Sequence, residues 1–185
     1  MALARPRRVV LTGAPGSGKT TLLDAAAAAG FCTSPEVARR ILQQPGGMAL
    51  READPLAFAE AMLEAHAREF AREFERHADH PVVLFDRGFP DVVGFLDVSG
   101  LPVPPAVDRA CRTLRYSGPV LRAPPWADIY VQDAQRIQDW NQAVASDEAV
   151  TAAWRRYGYA VTDLPLAPVQ ERLDFLRRRL QPDAT

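Results

Sequence analysis

The stretch Val9-Val10-Leu11-Thr12-Gly13-Ala14-Pro15-Gly16-Ser17-Gly18-Lys19-Thr20-Thr21 decides the fold. A short apolar run leads into Gly-x4-Gly-Lys-Thr, and helix-forming sequence follows as far as Ala29. Strand, loop and helix in that order are the context in which Gly13 to Thr20 reads as a phosphate loop. The glycines let successive backbone N–H groups curve around one anion. The helix that starts here adds unpaired amides and a positive dipole end. The expected nucleotide contacts are therefore Gly13, Ala14, Pro15, Gly16, Ser17, Gly18, Lys19, Thr20 and Thr21. Lys19 is expected to reach the β- and γ-phosphates, and the Thr20 hydroxyl to ligate Mg²⁺. Among 22 Lys and Arg side chains, Lys19 is the sole lysine. A compact ammonium fits among phosphates where a planar guanidinium does not.

The rest of the composition narrows the function classes. A chain of 185 residues fits one domain, 1–185, with a full core. A net charge of −1 and the lack of a basic stripe argue against nucleic acid as partner. No apolar run reaches the ~18 residues of a membrane span. The start, MALARPRR, lacks the apolar segment of a signal peptide, so the cytoplasm is the expected compartment. Cys32 and Cys111 read as two buried thiols rather than a disulfide framework. His77 and His80 have no third ligand nearby and read as a helix end, not a metal pair.

Strands and helices alternate along the chain, which points to an α/β fold with a parallel sheet. A second strand at about Phe31 to Thr33 runs into Ser34-Pro35-Glu36-Val37-Ala38-Arg39-Arg40. Residues just past such a strand face the ligand crevice. Glu36 is therefore a candidate general base, and Arg39 and Arg40 are candidates for an anionic substrate. The competing reading makes Glu36 a helix-start carboxylate and leaves the arginines solvated. Pro45-Gly46-Gly47-Met48 reads as a flexible break, and Asp54-Pro55 opens a long helix to about His77. Its apolar stripe includes Ala59, Met62, Leu63, Phe70 and Phe74, with His66 near it.

The run Val82-Val83-Leu84-Phe85-Asp86 is apolar on both faces, hence a central parallel strand. Asp86 at its end is the expected Mg²⁺ acid, Arg87 a grip on substrate or phosphate, and Asp91 a further acid facing the crevice. A lid is expected at about 126–146, with Arg136 neutralising charge on the leaving group. Ser146 is read as the cap of a helix from Asp147 to Tyr157. Trp126 and Trp140 read as core packing, with ring stacking as the alternative. A fifth strand, Tyr159 to Thr162, precedes a loop, Asp163 to Ala167, where an adenine can rest. Pro168 opens a last helix with Val169, Leu173, Leu176 and Leu180 turned inward.

The stretches GAPGSGKTTLL, SPEVARRIL, FDRGFPD, APPWADIYVQDAQR and YGYAVTDLP resemble the small ATPases of the AAA-domain type, close to nucleoside, nucleotide and ribosylnicotinamide kinases. That resemblance implies a three-layer P-loop NTPase with a five-stranded parallel sheet ordered 2-3-1-4-5. It also implies ATP, Mg²⁺ and an arginine-bearing helical lid. Similar deoxynucleoside kinases place a glutamate base after strand two and an acid–arginine pair after strand three, matching Glu36 and Asp86-Arg87. Gly88-Phe89-Pro90-Asp91 departs from that pattern and leaves the acceptor unnamed. Ring-forming ATPases usually carry a glutamate where Arg87 stands, which argues against hydrolysis of that type. The expectation is a small-molecule kinase using Lys19, Glu36, Asp86, Arg87 and Arg136, with a nucleotide and a small-molecule acceptor as partners. The alternative is a nucleotide-binding switch that hydrolyses slowly. The guanine-reading Asn/Thr-Lys-x-Asp motif is absent, since no second lysine exists.

Overall fold

A computed structural model describes residues 6–76, 80–130 and 139–180, with side chains left undescribed at 73–76. The Arg136 lid assignment, most of the expected lid and His77 lie outside the described residues.

Five parallel strands form the sheet. They are β1 (Arg7–Gly13), β2 (Cys32–Thr33), β3 (Val82–Asp86), β4 (Val120–Ala123) and β5 (Val161–Asp163). Their order is β2-β3-β1-β4-β5, as the family resemblance implies. Every residue of β3 is buried, as is β1 from Val9 onward, because helices cover both faces. Alternation along β1 divides the core. Val9 and Leu11 face α1 (Lys19–Ala28) and α8 (Val169–Leu180). Val10 faces the side of α4 (Pro55–Arg76), α5 (Phe89–Val98), α6 (Pro105–Thr113) and α7 (Trp140–Arg156). The α1 helix begins at the phosphate loop, so the strand–loop–helix unit sits at the centre of the sheet.

The α4 helix starts as expected: the Asp54 side chain accepts from the Ala57 backbone N–H at 3.0 Å, and Pro55 opens the first turn. Two expectations are corrected. The stretch Pro45 to Met48 is a tight junction, not a loose break. Gly46 has φ +80°, and a Cβ on Gly47 would lie 2.0 Å from the Ile41 carbonyl oxygen. These glycines let α2 (Val37–Leu42) turn directly into α3 (Gly47–Ala53). Ser146 does not cap a helix either. The α7 helix runs unbroken from Trp140 and is capped by Asp139, whose carboxylate accepts from Gln142 N–H at 2.8 Å while Gln142 returns a bond to Asp139 N–H. Residues 140–146 of the expected lid therefore belong to a helix packed along α5.

That packing is close. A Cβ on Gly94 would lie 2.6 Å from a Val150 methyl and 2.7 Å from its Cα. Gly94→Ala is expected to force α5 and α7 apart and cost ~1–3 kcal/mol, read by urea unfolding.

Candidate active site

The backbone of the phosphate loop is shaped by its neighbours. Gly13, Gly16 and Gly18 have φ of +118°, +74° and +77°, the left-handed region that glycine occupies at no steric cost. A Cβ on Gly13 would lie 2.3 Å from the Ala123 carbonyl oxygen, so the loop leaves β1 pressed against β4. Lys19 is buried, and its ammonium folds back into the loop. It donates to the carbonyl oxygens of Gly13 and Ala14 and to Ser17 Oγ. Burial, aided by Arg87 and opposed by Glu36, Asp86 and Asp91, lowers its pKa from 10.5 to about 7.

Beside the loop lies a charge cluster built from the ends of β2 and β3. Asp91, in the first turn of α5, is its centre. Its Oδ1 accepts from Thr12 Oγ1 at 2.6 Å and from Arg87 Nη1 at 2.9 Å. Its Oδ2 accepts from the Gly88 N–H and from Trp154 Nε1, each at 3.0 Å. Arg87 also lies 3.5 Å from Glu36, which lies 3.6 Å from Arg39. The Arg87 backbone has φ +67°, a strained conformation for a residue with a Cβ. Burial disfavours its charge, but Asp91, Glu36 and Asp86 outweigh burial and raise its pKa. Burial would raise the Glu36 pKa; Arg87, Lys19 and Arg39 outweigh it and hold the carboxyl below its ordinary range.

Asp86 differs. Its backbone N–H donates to Ser34 Oγ at 3.1 Å, yet its buried Oδ1 has no partner. Burial, with Glu36 next, pushes its pKa up to about 7, against the pull of Lys19 and Arg87. A buried carboxylate oxygen with an unused lone pair suits a hard cation. Among the described residues no cluster of three His, Cys, Asp or Glu side chains could hold a metal. Asp86 would thus need hydroxyl, water or phosphate oxygens to complete a shell.

One cavity of about 590 Å³ joins the loop to Glu36, Arg87 and Asp91; Asp86 does not line it but lines a second hollow that shares Thr20, Glu36 and Arg39 with it. The loop lines it through Pro15, Gly16, Gly18, Lys19, Thr20 and Thr21; Glu36, Arg87 and Asp91 line it too. Ala167 and Pro168, in and beside the predicted adenine loop, also reach its wall. Trp126 is half-buried on that wall and Trp140 is exposed, so neither is a core residue. Trp140 stands edge-on to Tyr130. Gly13, Ala14 and Ser17 belong to the loop without lining the cavity. Arg40 is bound to Glu69 at 2.7 Å and takes no part in the cavity wall.

Two residues of this site do not stand out from the sequence. Arg172 on α8 is 2% exposed and donates to the Ser17 carbonyl oxygen at 2.8 Å. Its Nε and Nη2 have no partner, and burial lowers its pKa. Its spacing from Leu176 and Leu180 places it on the inward stripe, the one signal that marks it; Val169, expected on that stripe, is exposed at the cavity mouth instead. Trp154 is fully buried and carries the indole that holds Asp91. Away from the cavity, Arg122 binds Asp147 at 2.6 Å and Asp163 at 2.9 Å, tying β4 and β5 to α7.

The AAA domain family matches residues 8–172. No curated protein matches the chain. Among solved structures, deoxyadenosine kinase from M. mycoides with bound dATP is similar at TM-score 0.66 and 10% identity, covering 95% of this chain and 100% of that one. NadR in complex with NR is similar at 0.66 and 16%, covering 97% of this chain and 51% of that one, so this chain spans about half of NadR. Thymidylate kinase from Candida albicans is similar at 0.67 and 9%, over 94% and 90%. These likenesses show a shared P-loop kinase fold.

Two outcomes follow from the charge cluster. Asp91→Asn is expected to leave the Arg87 guanidinium buried without its main counter-charge and cost ~3–5 kcal/mol in denaturant unfolding. Burial, opposed by Asp91 and Glu36 and aided by Arg87, lowers the His66 pKa from 6.5 to about 4. The unfolded chain binds the extra proton first, so stability is intact above pH 6.5 and falls as pH drops toward 4. That fall, ~3 kcal/mol at most, is expected to be absent from the pH profile of His66→Phe.

Proposed function

We propose, from the premise that the chain belongs to the AAA domain family, that it is a small-molecule kinase moving the γ-phosphoryl group of ATP to an acceptor. The observation that carries this reading is a cavity in which a phosphate loop and the Glu36–Arg87–Asp91 cluster share one wall with an apolar arm. A hydrolase needs only water beside the triphosphate. An arm lined by Phe58, Met62, Phe95 and Val150 is surface built for an organic partner.

The donor's triphosphate lies along Gly13 to Thr20, with Lys19 exchanging its loop carbonyls for phosphate oxygens. The acceptor oxygen attacks the γ-phosphorus, the bond from that phosphorus to the bridging oxygen breaks, and ADP leaves. The proton of the acceptor hydroxyl passes to Glu36 or to water beside it. Because Glu36 stays ionised, it serves first to orient the hydroxyl; a loose phosphoryl transition state asks for little more from a base. Arg87, fixed by Asp91, faces the charge that develops on the transferring group. Asp86 and the Thr20 hydroxyl are the residues that would hold Mg²⁺. That ion supplies charge neutralisation on the phosphate oxygens when bound.

The experiment is ADP release from ATP measured alone and with nucleosides, nucleoside monophosphates and sugars. Acceptor-dependent release supports a kinase; a slow basal rate that no acceptor changes supports a nucleotide switch. Lys19→Ala is expected to lower the acceptor-dependent rate by ~10²-fold or more, through loss of a preorganised charge.

A further inference from the structure

The apolar arm carries more information than its presence. Phe58, Met62 and His66 stand four residues apart on α4, so they form one stripe along a single helix face. All three line the cavity, facing Phe95 from α5 and Val150 from α7. Phe58 and Phe95 meet edge to face, with ring centroids 5.3 Å apart. These are flat or narrow side chains around one slot.

His66 is the polar exception in that stripe. It is 5% exposed, and among the described residues it has no hydrogen-bond partner; the Phe89 ring lies beside it, centroids 6.0 Å apart. Leaving a buried imidazole unpaired costs free energy unless a ligand completes it. A neutral imidazole offers one donor and one acceptor.

Charge narrows the class further. Two carboxylates, Glu36 and Asp91, stand at the inner wall with one guanidinium, Arg87, bound to both. Arg39 is paired with Glu36 and Arg51 is half-buried, while the other cations along the wall, Lys19 and Arg172, stand at the phosphate loop, where they face the donor and not the arm. A phosphate dianion brought beside Glu36 would meet a carboxylate whose cations are already engaged.

We propose that this arm is the ring site of the acceptor, that His66 is its polar contact, and that the acceptor is an uncharged planar nitrogen heterocycle carrying a free hydroxyl. A phosphomonoester is disfavoured by Glu36 and Asp91. A hexose, polar on every side, is disfavoured by the apolar faces of Phe58, Met62, Phe95 and Val150, beside which Arg51 and Ser146 are further polar side chains on the wall. The inference rests on the kinase reading for what happens to the hydroxyl, but the ring site is testable by binding alone.

The full chain is titrated by calorimetry with adenosine, guanosine, cytidine and thymidine, with their 5′-monophosphates, and with glucose; ADP release is measured with the same set. At least one nucleoside is expected to bind and to raise ADP release, with its monophosphate about tenfold weaker, the ratio that one ~1.4 kcal/mol contact supplies. His66→Leu is expected to raise the KM for that nucleoside about tenfold with kcat little changed, and His66→Gln, which keeps a neutral hydrogen-bonding end, to recover most of it. Preference for a monophosphate or for glucose, or an unchanged KM in His66→Leu, overturns the inference while leaving the kinase intact. Binding of a nucleoside without any stimulated ADP release upholds the ring site and overturns the kinase. Should the variants fail to fold, the wild-type ranking of nucleoside over monophosphate decides alone.

Discussion

The carboxylate of Asp91 is the junction on which the rest of this site hangs. Four donors converge on it from four places: Thr12 on β1, Arg87 just after β3, the Gly88 amide and Trp154 on α7. A buried charge is tolerable when its lone pairs are used and a counter-charge is adjacent, and both conditions hold here. The same bonds bring β1, the end of β3, α5 and α7 to one point. Arg87 is consequently aimed by the core itself. Its other ion-pair partner, Glu36, needs only a short β2 and the start of α2 to reach the same spot.

Around that junction the pKa shifts diverge in a useful way. Glu36 is held ionised by surrounding cations, whereas Asp86, a strand away, is pushed up by burial and by Glu36. Two carboxyls at one site thus lie in opposite surroundings, one wrapped by cations and the other buried with an unpartnered oxygen. Lys19 sits between, its own charge disfavoured by burial while three acids favour it. The loop's internal bonds to that ammonium keep its curve in shape through the lysine itself, not through backbone pairing alone.

The centre of the fold was legible because the loop is dictated by backbone geometry. Glycines at positive φ before a Lys-Thr leave one structural context, strand–loop–helix, whereas the strand order came from the family resemblance and not from the loop. Asp54-Pro55 was legible for the same reason, a local cap with a local mechanism. Ser146 misled because a capping residue in mid-helix looks the same in sequence as one at the start. Ala143 and Val150, buried against the α5 side, hold the helix through it. Pro45 to Met48 misled because two glycines signal freedom as readily as close contact, and only the Ile41 carbonyl distinguishes them. Arg172 was hidden because an arginine near the start of a helix reads as solvated, and its burial depends on where α8 docks against the loop. His66 was placed near an apolar stripe, but a stripe does not say whether it faces a filled core or a hollow.

The backbone at Arg87 has a consequence for descent. Its left-handed conformation admits glycine, asparagine or aspartate with little strain and resists β-branched replacements. An exchange for valine or threonine would disturb the chain path as well as remove the guanidinium, and one for asparagine would remove only the guanidinium. Relatives that have abandoned this chemistry are therefore expected to carry small, turn-tolerant residues there, a trace of the vanished charge preserved in the shape it required.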